Sequence, residues 1–263
     1  MTSNRNEIKA IFFDIDGTLV SHKQGKVPDS AWRALKALRE NGIMIVLASG
    51  RHKIDLDELP VKDMEFDGYL ALNGQLLLDS DREMYSGLSI DEEEMKILSG
   101  IFKARKIPFA FMTENGRYIN YIDDTVISTL EDSMGSVPVL GSFSGEKIYQ
   151  IWAFVPEKKQ QMLKDLLDEC DITSWNDKAI DIIPKGGGKS AGMQVFLDKY
   201  GLERSETMAF GDGENDIDML KFAGIGVAMG NAGDIVKAAA DYVTDSVDED
   251  GIENALRHFG LIR

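Results

Sequence analysis

Asp14 and Asp16 close an apolar run, residues 8–13, and are followed at once by Gly17 and Thr18. A short continuous apolar run bounded by turn signals is the pattern of a buried strand. Side chains two apart on extended chain point the same way, so both carboxylates would crowd one spot at the strand's end. They would repel unless a cation or a shared proton relieved them. Such a pair suits an acid, a nucleophile or a metal site. Three more clusters have compatible chemistry: Ser49-Gly50-Arg51, Lys189, and Asp212 with Asn215 and Asp216. Carboxylates with no histidine among them suit a hard cation such as Mg²⁺. A hydroxyl, an ammonium and free backbone N–H groups suit a phosphoryl group. A metal, a phosphate clamp and a spare carboxylate together describe phosphoryl transfer.

The elements that must position these residues alternate. After residues 8–13, a helical pattern opens at Pro28-Asp29-Ser30 and stops at Asn41-Gly42; a second apolar run, 43–48, leads into Ser49, and a third, 68–72, ends at Asn73-Gly74. Strand, helix and strand with short joints read as a βαβ unit in a parallel sheet. Further on, Lys189 opens a helix over 189–200, and the run 207–210 leads into Asp212. In open parallel sheets ligands bind at the carboxyl ends of the strands, so all four clusters can converge. Between these two stretches the pattern changes to hairpins mixed with helices. A hairpin is expected over 75–86, helices over 91–106 and 124–134 and after Pro156, and strands over 107–113, 117–121, 147–155, 172–175 and 179–183. The expectation is an α/β protein whose doubly wound, Rossmann-like parallel core spans 1–80 and 186–263, with an α+β module inserted over 81–185. Gly186-Gly187-Gly188 is the strongest hinge candidate.

Composition narrows the partners. The chain has 263 residues, 43% hydrophobic, with a net charge of −16, which disfavours nucleic acid and anionic membranes. It does not exclude a small anionic substrate. No apolar run approaches a membrane span, and residues 1–7 lack the apolar segment of a secretory signal. A single cysteine, Cys170, excludes an internal disulfide framework and reads as a half-buried thiol late in a helix. The expected compartment is the cytoplasm, and the oligomeric state is left open, a monomer included.

Rival motifs fail on spacing. An EF-hand would need Glu where Gly25 stands, a P-loop would need Gly at Ile183, and a dinucleotide loop would need Gly at Asp216. Arg51 reads as a structural or rim residue rather than a catalytic one, Asn73-Gly74 as a turn by default, and His22, His52 and His258 show no ligand spacing.

Asp14-Ile15-Asp16-Gly17-Thr18, Ser49, Lys189 and Gly211-Asp212-Gly213-Glu214-Asn215-Asp216 resemble the four motifs of the haloacid dehalogenase-like hydrolase superfamily. The insertion between the second and third motifs is similar to the C2-type cap of the Cof-like phosphatases. The resemblance implies a Mg²⁺-dependent phosphatase acting on small phosphomonoesters, sugar phosphates foremost. Asp14 would be the nucleophile that forms an aspartyl-phosphate, and Asp16 the acid and base. Asp14, the backbone carbonyl of Asp16, and Asp212 would hold the metal, with Asn215 and Asp216 supporting it or, for Asp216, joining it. Ser49, Gly50 and Lys189 would bind the phosphoryl group, and Asn73-Gly74 would lie near it. Cap candidates for the leaving group are Asn115, Trp175, Asn176, Asp181 and Lys185. A sugar phosphomutase, a flavin mononucleotide or pyridoxal phosphate phosphatase, and a non-catalytic phospho-metabolite sensor stay open beside this. Two departures stand out: His52, where many relatives have proline, and the extra glycines at 186–188.

Overall fold

The central strand is β1 (Ala10–Phe13), four apolar residues, all buried. It belongs to a computed structural model that describes residues 7–132 and 136–263. Pro28, with extended backbone, precedes α1 (Asp29–Glu40), which buries Ala31, Ala34, Leu35 and Leu38 on one side. Gly42, at φ +75°, turns the chain into β2 (Met44–Ala48). Next come β3 (Gly68–Ala71) and a hairpin of β4 (Leu76–Asp79) and β5 (Met84–Gly87).

The chain then builds α2 (Glu92–Ala104), β6 (Phe109–Met112), β7 (Arg117–Ile119), α3 (Asp124–Asp132) and β8 (Val139–Leu140). They are followed by β9 (Gln150–Phe154), α4 (Glu157–Lys164), β10 (Cys170–Asn176) and β11 (Ala179–Pro184). The remainder is α5 (Lys189–Tyr200), β12 (Thr207–Gly211), α6 (Ile217–Phe222), β13 (Ile225–Ala228), α7 (Asp234–Lys237), β14 (Tyr242–Val243) and α8 (Gly251–His258).

Two compact units result. One runs to Ser86 and resumes at Gly188; the other is Gly87–Gly187. The first holds an eight-stranded sheet in the order β14-β13-β12-β1-β2-β3-β4-β5. Its six strands from β14 to β3 are parallel, and β4 turns back antiparallel to β3. Phe13 lies level with both Leu47 and Phe210, so β1, β2 and β12 end flush. Phe12 meets Phe196 of α5 edge-on at 5.4 Å between ring centres, and Phe13 stacks on Phe210 at 5.0 Å. Each such side chain, fully buried, contributes about 1.5–3 kcal/mol. Because β5 pairs within this sheet, the junction falls six residues beyond the expected 80/81.

The second unit's six-stranded sheet has the order β10-β11-β9-β6-β7-β8, antiparallel except for β7 with β8. Successive strand residues face opposite ways. One face, with Phe109, Phe111, Ile151, Ala153, Ile180 and Ile182, packs under Met95, Leu98 and Phe102 of α2 and Leu163 of α4.

Some local expectations change. Cys170 is buried, but it begins β10 rather than ending a helix, because α4 stops at Lys164. Met162 and Leu166 are exposed; only Leu163 and Leu167 of that apolar set reach the core. Ser133 and Met134, the expected end of the helix after Asp124, lie outside the described residues, as do residues 1–6. No helix of the described residues is long and apolar enough to cross a membrane.

Candidate active site

The flush ends of β1, β2 and β12 set the site. Asp14 continues β1, donating its N–H to the Phe210 carbonyl at 3.0 Å. Ser49 continues β2, bonded through its N–H to Leu70 and through its carbonyl to Asn73, each at 2.8 Å. Asp212 follows β12. Lys189 is the first residue of α5, whose start is fixed by Asp218: the Ser190 N–H donates to the Asp218 carboxylate at 2.8 Å. Gly188 before it has φ +108°, and a Cβ there would come within 2.5 Å of the same carboxylate.

Lys189 is fully buried and bridges two carboxylates, donating to Asp14 Oδ1 at 2.6 Å and to Asp216 Oδ1 at 2.5 Å. The other Asp216 oxygen accepts the N–H groups of Asp212 and Gly213, each at 2.9 Å. Both oxygens of Asp216 are therefore used in holding the loop and the lysine. Asp212 is half-buried; its Oδ1 accepts from Thr18 Oγ1 at 3.0 Å and its Oδ2 from Asn231 Nδ2 at 3.1 Å. Asn215 donates to Asn73 Oδ1 at 3.0 Å. The Asn73 side chain also packs against Gly50, where a Cβ would lie 3.2 Å from it.

Asp16 stands apart from this cluster. Its carboxylate is gripped by the Arg51 guanidinium in a two-point fork, Nε at 2.6 Å and Nη2 at 2.7 Å. Such forks fix the plane of a carboxylate as well as its position. Arg51 is therefore a structural partner of Asp16, the first of the two readings its sequence context left open. His52 is buried and caps the short turn Lys53–Asp55, its Nδ1 accepting the Ile54 N–H at 3.1 Å. That is a structural use for His52.

The electrostatics ask for a cation. Oxygens from Asp14, Asp212 and Asp216 lie within 4.8 Å of one another. Burial, then Asp216, push the Asp14 carboxyl well above the usual carboxylate range, against the pull of Lys189. Burial and Asp216 likewise push Asp212 up to about 7, against Thr18 and Lys189. Burial pulls the Lys189 ammonium down, but Asp14 and Asp216 outweigh it and hold it above its ordinary value. With all of them ionised, three carboxylates and one ammonium leave two negative charges, which a divalent cation would balance. An all-oxygen donor set fits a hard divalent ion.

Of the residues expected in the second unit, the structure groups some and scatters others. Trp175 is half-buried beside Trp152 and Phe154, at 6.0 and 6.4 Å between ring centres, and its indole N–H has no partner among the described residues. Asp181 is buried and level with Trp152 across β11 and β9, on the face opposite the apolar core of that unit. Asn115 sits exposed on the β6–β7 turn. Lys185 bonds to the Asp168 carbonyl at 2.7 Å and pairs with Glu169 at 3.4 Å. Asn176 lies next to an irregularity in the β10–β11 pairing.

Sequence reasoning assigned no role to Thr18 or Asn231, and left Arg51 between a structural and a rim residue without naming Asp16 as its partner. Asn231 comes after β13 with Met229 and Gly230 between, whereas Asp14, Ser49 and Asp212 directly follow their own strands, so the strand-end rule was only a partial signal.

The model of the haloacid dehalogenase-like hydrolases matches residues 11–256. A phosphatase of that superfamily from Bacteroides thetaiotaomicron superposes with a TM-score of 0.90 at 34% identity, covering 100% of this chain and 98% of its own. A sugar phosphatase of subclass IIB superposes with a TM-score of 0.86 at 36% identity, over 97% of this chain and 100% of its own. A 5-amino-6-(5-phospho-D-ribitylamino)uracil phosphatase of Bacillus subtilis is 28% identical over 97% of both chains. The chain belongs to the haloacid dehalogenase-like hydrolases, in their Cof-like phosphatase branch.

Proposed function

We propose that the protein is a Mg²⁺-dependent phosphatase that hydrolyses small phosphomonoesters, sugar phosphates foremost, through an aspartyl-phosphate on Asp14. The observation that carries this reading is the Asp14 carboxylate, buried at the end of β1, 2.6 Å from Lys189 and grouped with Asp212 and Asp216. Asp14, Asp212 and the Asp16 backbone carbonyl would hold the Mg²⁺, with Asp216 positioning Lys189 and the Asp212 loop. When bound, the cation supplies positive charge that keeps Asp14 ionised and offsets the charge on the phosphoryl oxygens.

The chain's own groups do the rest. An Asp14 oxygen attacks phosphorus; the P–O bond to Asp14 forms, the ester P–O bond breaks, and the leaving alkoxide takes a proton from Asp16. Water then attacks the same phosphorus while Asp16 takes its proton. The bond to Asp14 breaks, and inorganic phosphate and the carboxylate are restored. Arg51 aims Asp16. Lys189 and the Ser49 hydroxyl bind phosphoryl oxygens.

Trp175, half-buried beside Trp152 and Phe154, is the aromatic face proposed for a compact leaving group, in keeping with the likeness to a subclass IIB sugar phosphatase. A phosphorylated ribityl chain is the second reading, favoured by the Bacillus subtilis relative. The test is a turnover screen with Mg²⁺ over hexose and pentose phosphates, flavin mononucleotide, pyridoxal phosphate and nucleotides. The highest kcat/KM is expected on a sugar phosphate, and Asp14→Asn is expected to lower it by about 10⁴-fold or more. Mg²⁺-dependent turnover retained by Asp14→Asn would overturn the covalent route.

A further inference from the structure

Asn231, exposed just beyond β13, joins three parts of the first unit. Its Nδ2 donates to the Gly17 carbonyl at 2.9 Å and to Asp212 Oδ2 at 3.1 Å, while its Oδ1 accepts the Val247 N–H at 2.9 Å. Donors on one side and an acceptor on the other fix which way round the amide sits. Gly17, at φ +86°, leaves the space Asp212 occupies: a Cβ there would lie 2.2 Å from Asp212 Oδ2. The carboxylate thus rests against bare backbone, and one amide ties it to that backbone.

We propose that Asn231 is a positioning residue for the divalent cation, holding the Asp212 carboxylate in its coordinating orientation; this rests on the metal-dependent reading above. The argument turns on charge. Lys189 orients Asp14 and Asp216 but offsets their charge in doing so. Thr18 and Asn231 grip the two oxygens of Asp212 with neutral donors, which orient a carboxylate and leave its full charge for a cation. The amide is itself braced from behind. Val247 opens a short turn whose Asp248 accepts from Ser21 Oγ and Gln24 Nε2, each at 2.7 Å. Both residues belong to the loop after β1, so Gly17 and Asp212 are tied to one turn through Asn231. Partners of this kind, one bond removed from a metal, change its affinity about 10–100-fold. The exposure of Asn231 lets water compete, which places the effect at the lower end.

The test uses the full chain and Mn²⁺ alone, followed by the electron paramagnetic resonance signal of the free ion. Asn231→Ala and Asn231→Leu are each expected to weaken Mn²⁺ binding about tenfold, alongside a small fall in the metal-free thermal midpoint from the lost bonds to Gly17 and Val247. The leucine keeps the bulk and loses every hydrogen bond, so it serves if the alanine variant folds poorly. Parent-like Mn²⁺ affinity in a folded variant overturns this role and leaves the metal reading standing. A lowered metal-free midpoint with unchanged affinity also overturns it, as the mark of a purely structural residue. No Mn²⁺ binding by the unchanged protein overturns both together.

Discussion

The parallel sheet of the first unit and the antiparallel sheet of the second carry their polar residues in different ways. In the first, the functional side chains stand at strand ends and are tied to partners far along the chain: Lys189 to Asp14 across 175 residues, Thr18 to Asp212 across 194, Asn215 to Asn73 across 142. Each group is held by several elements at once. In the second, Lys185 bonds to Asp168 and Glu169 just outside β10 and β11, Asn115 is exposed on a turn, and the Trp175 N–H has no partner among the described residues. Chemistry that must not move is over-determined. Lys185, Asn115 and Trp175, the residues proposed for the leaving group, have fewer such long-range ties.

That contrast can be broken by experiment. After Asp14→Asn, the largest effect is expected for Lys189→Met, which leaves two carboxylates buried without their counter-charge. kcat/KM should fall about 10²–10³-fold, and urea unfolding should show a loss of about 3–5 kcal/mol. A folded variant with parent-like kinetics would mean the lysine is structural alone.

A middle-sized effect concerns pH. Asp14 and Asp212 are held above the range of an unfolded carboxylate. Between about pH 4 and pH 7 the folded state therefore binds more protons than the unfolded one, and by linkage its stability falls as pH rises. Metal-free protein should melt several degrees lower at about pH 8 than at about pH 5.5, and Mg²⁺ should restore the difference mainly at the higher pH. Calorimetry with hydrogen exchange should place the change in the first unit. An equal shift in the second would erase the contrast.

The smallest effect is expected for Trp175→Ala. KM for the best sugar phosphate should rise about tenfold or less, with kcat nearly unchanged. A collapse of kcat instead would bring this residue into the chemistry.

Much of the first unit was legible because its signals are local. The helix Lys189–Tyr200 begins after glycine and ends at Gly201 in a left-handed conformation, as the residue types require. Asp14, Ser49 and Asp212 each follow an apolar run. What was not legible is pairing between distant side chains. Nothing near Arg51 in the sequence announces Asp16, thirty-five residues earlier, and nothing near Asn231 announces Gly17. In the second unit the signal was weaker for another reason. Leu163 and Leu167 reach the core, but Met162 and Leu166 continue the same apolar pattern into solvent, so periodicity overstated the helix. Cys170 fell on the wrong side of its end.

The place of β1 between β2 and β12 has a consequence for how the molecule is made. On a ribosome, Ala10–Phe13 emerges early and can pair with β2 within about forty residues, yet its other edge stays open until Thr207–Gly211 is synthesised. At about 5–20 residues per second, the 175 residues between Asp14 and Lys189 take roughly ten to thirty-five seconds. Throughout that interval an apolar strand lacks a neighbour and its terminal aspartate lacks a counter-ion. The nascent chain cannot act on phosphate esters before its last third is built, and it is in those seconds that it is open to wrong strand pairing.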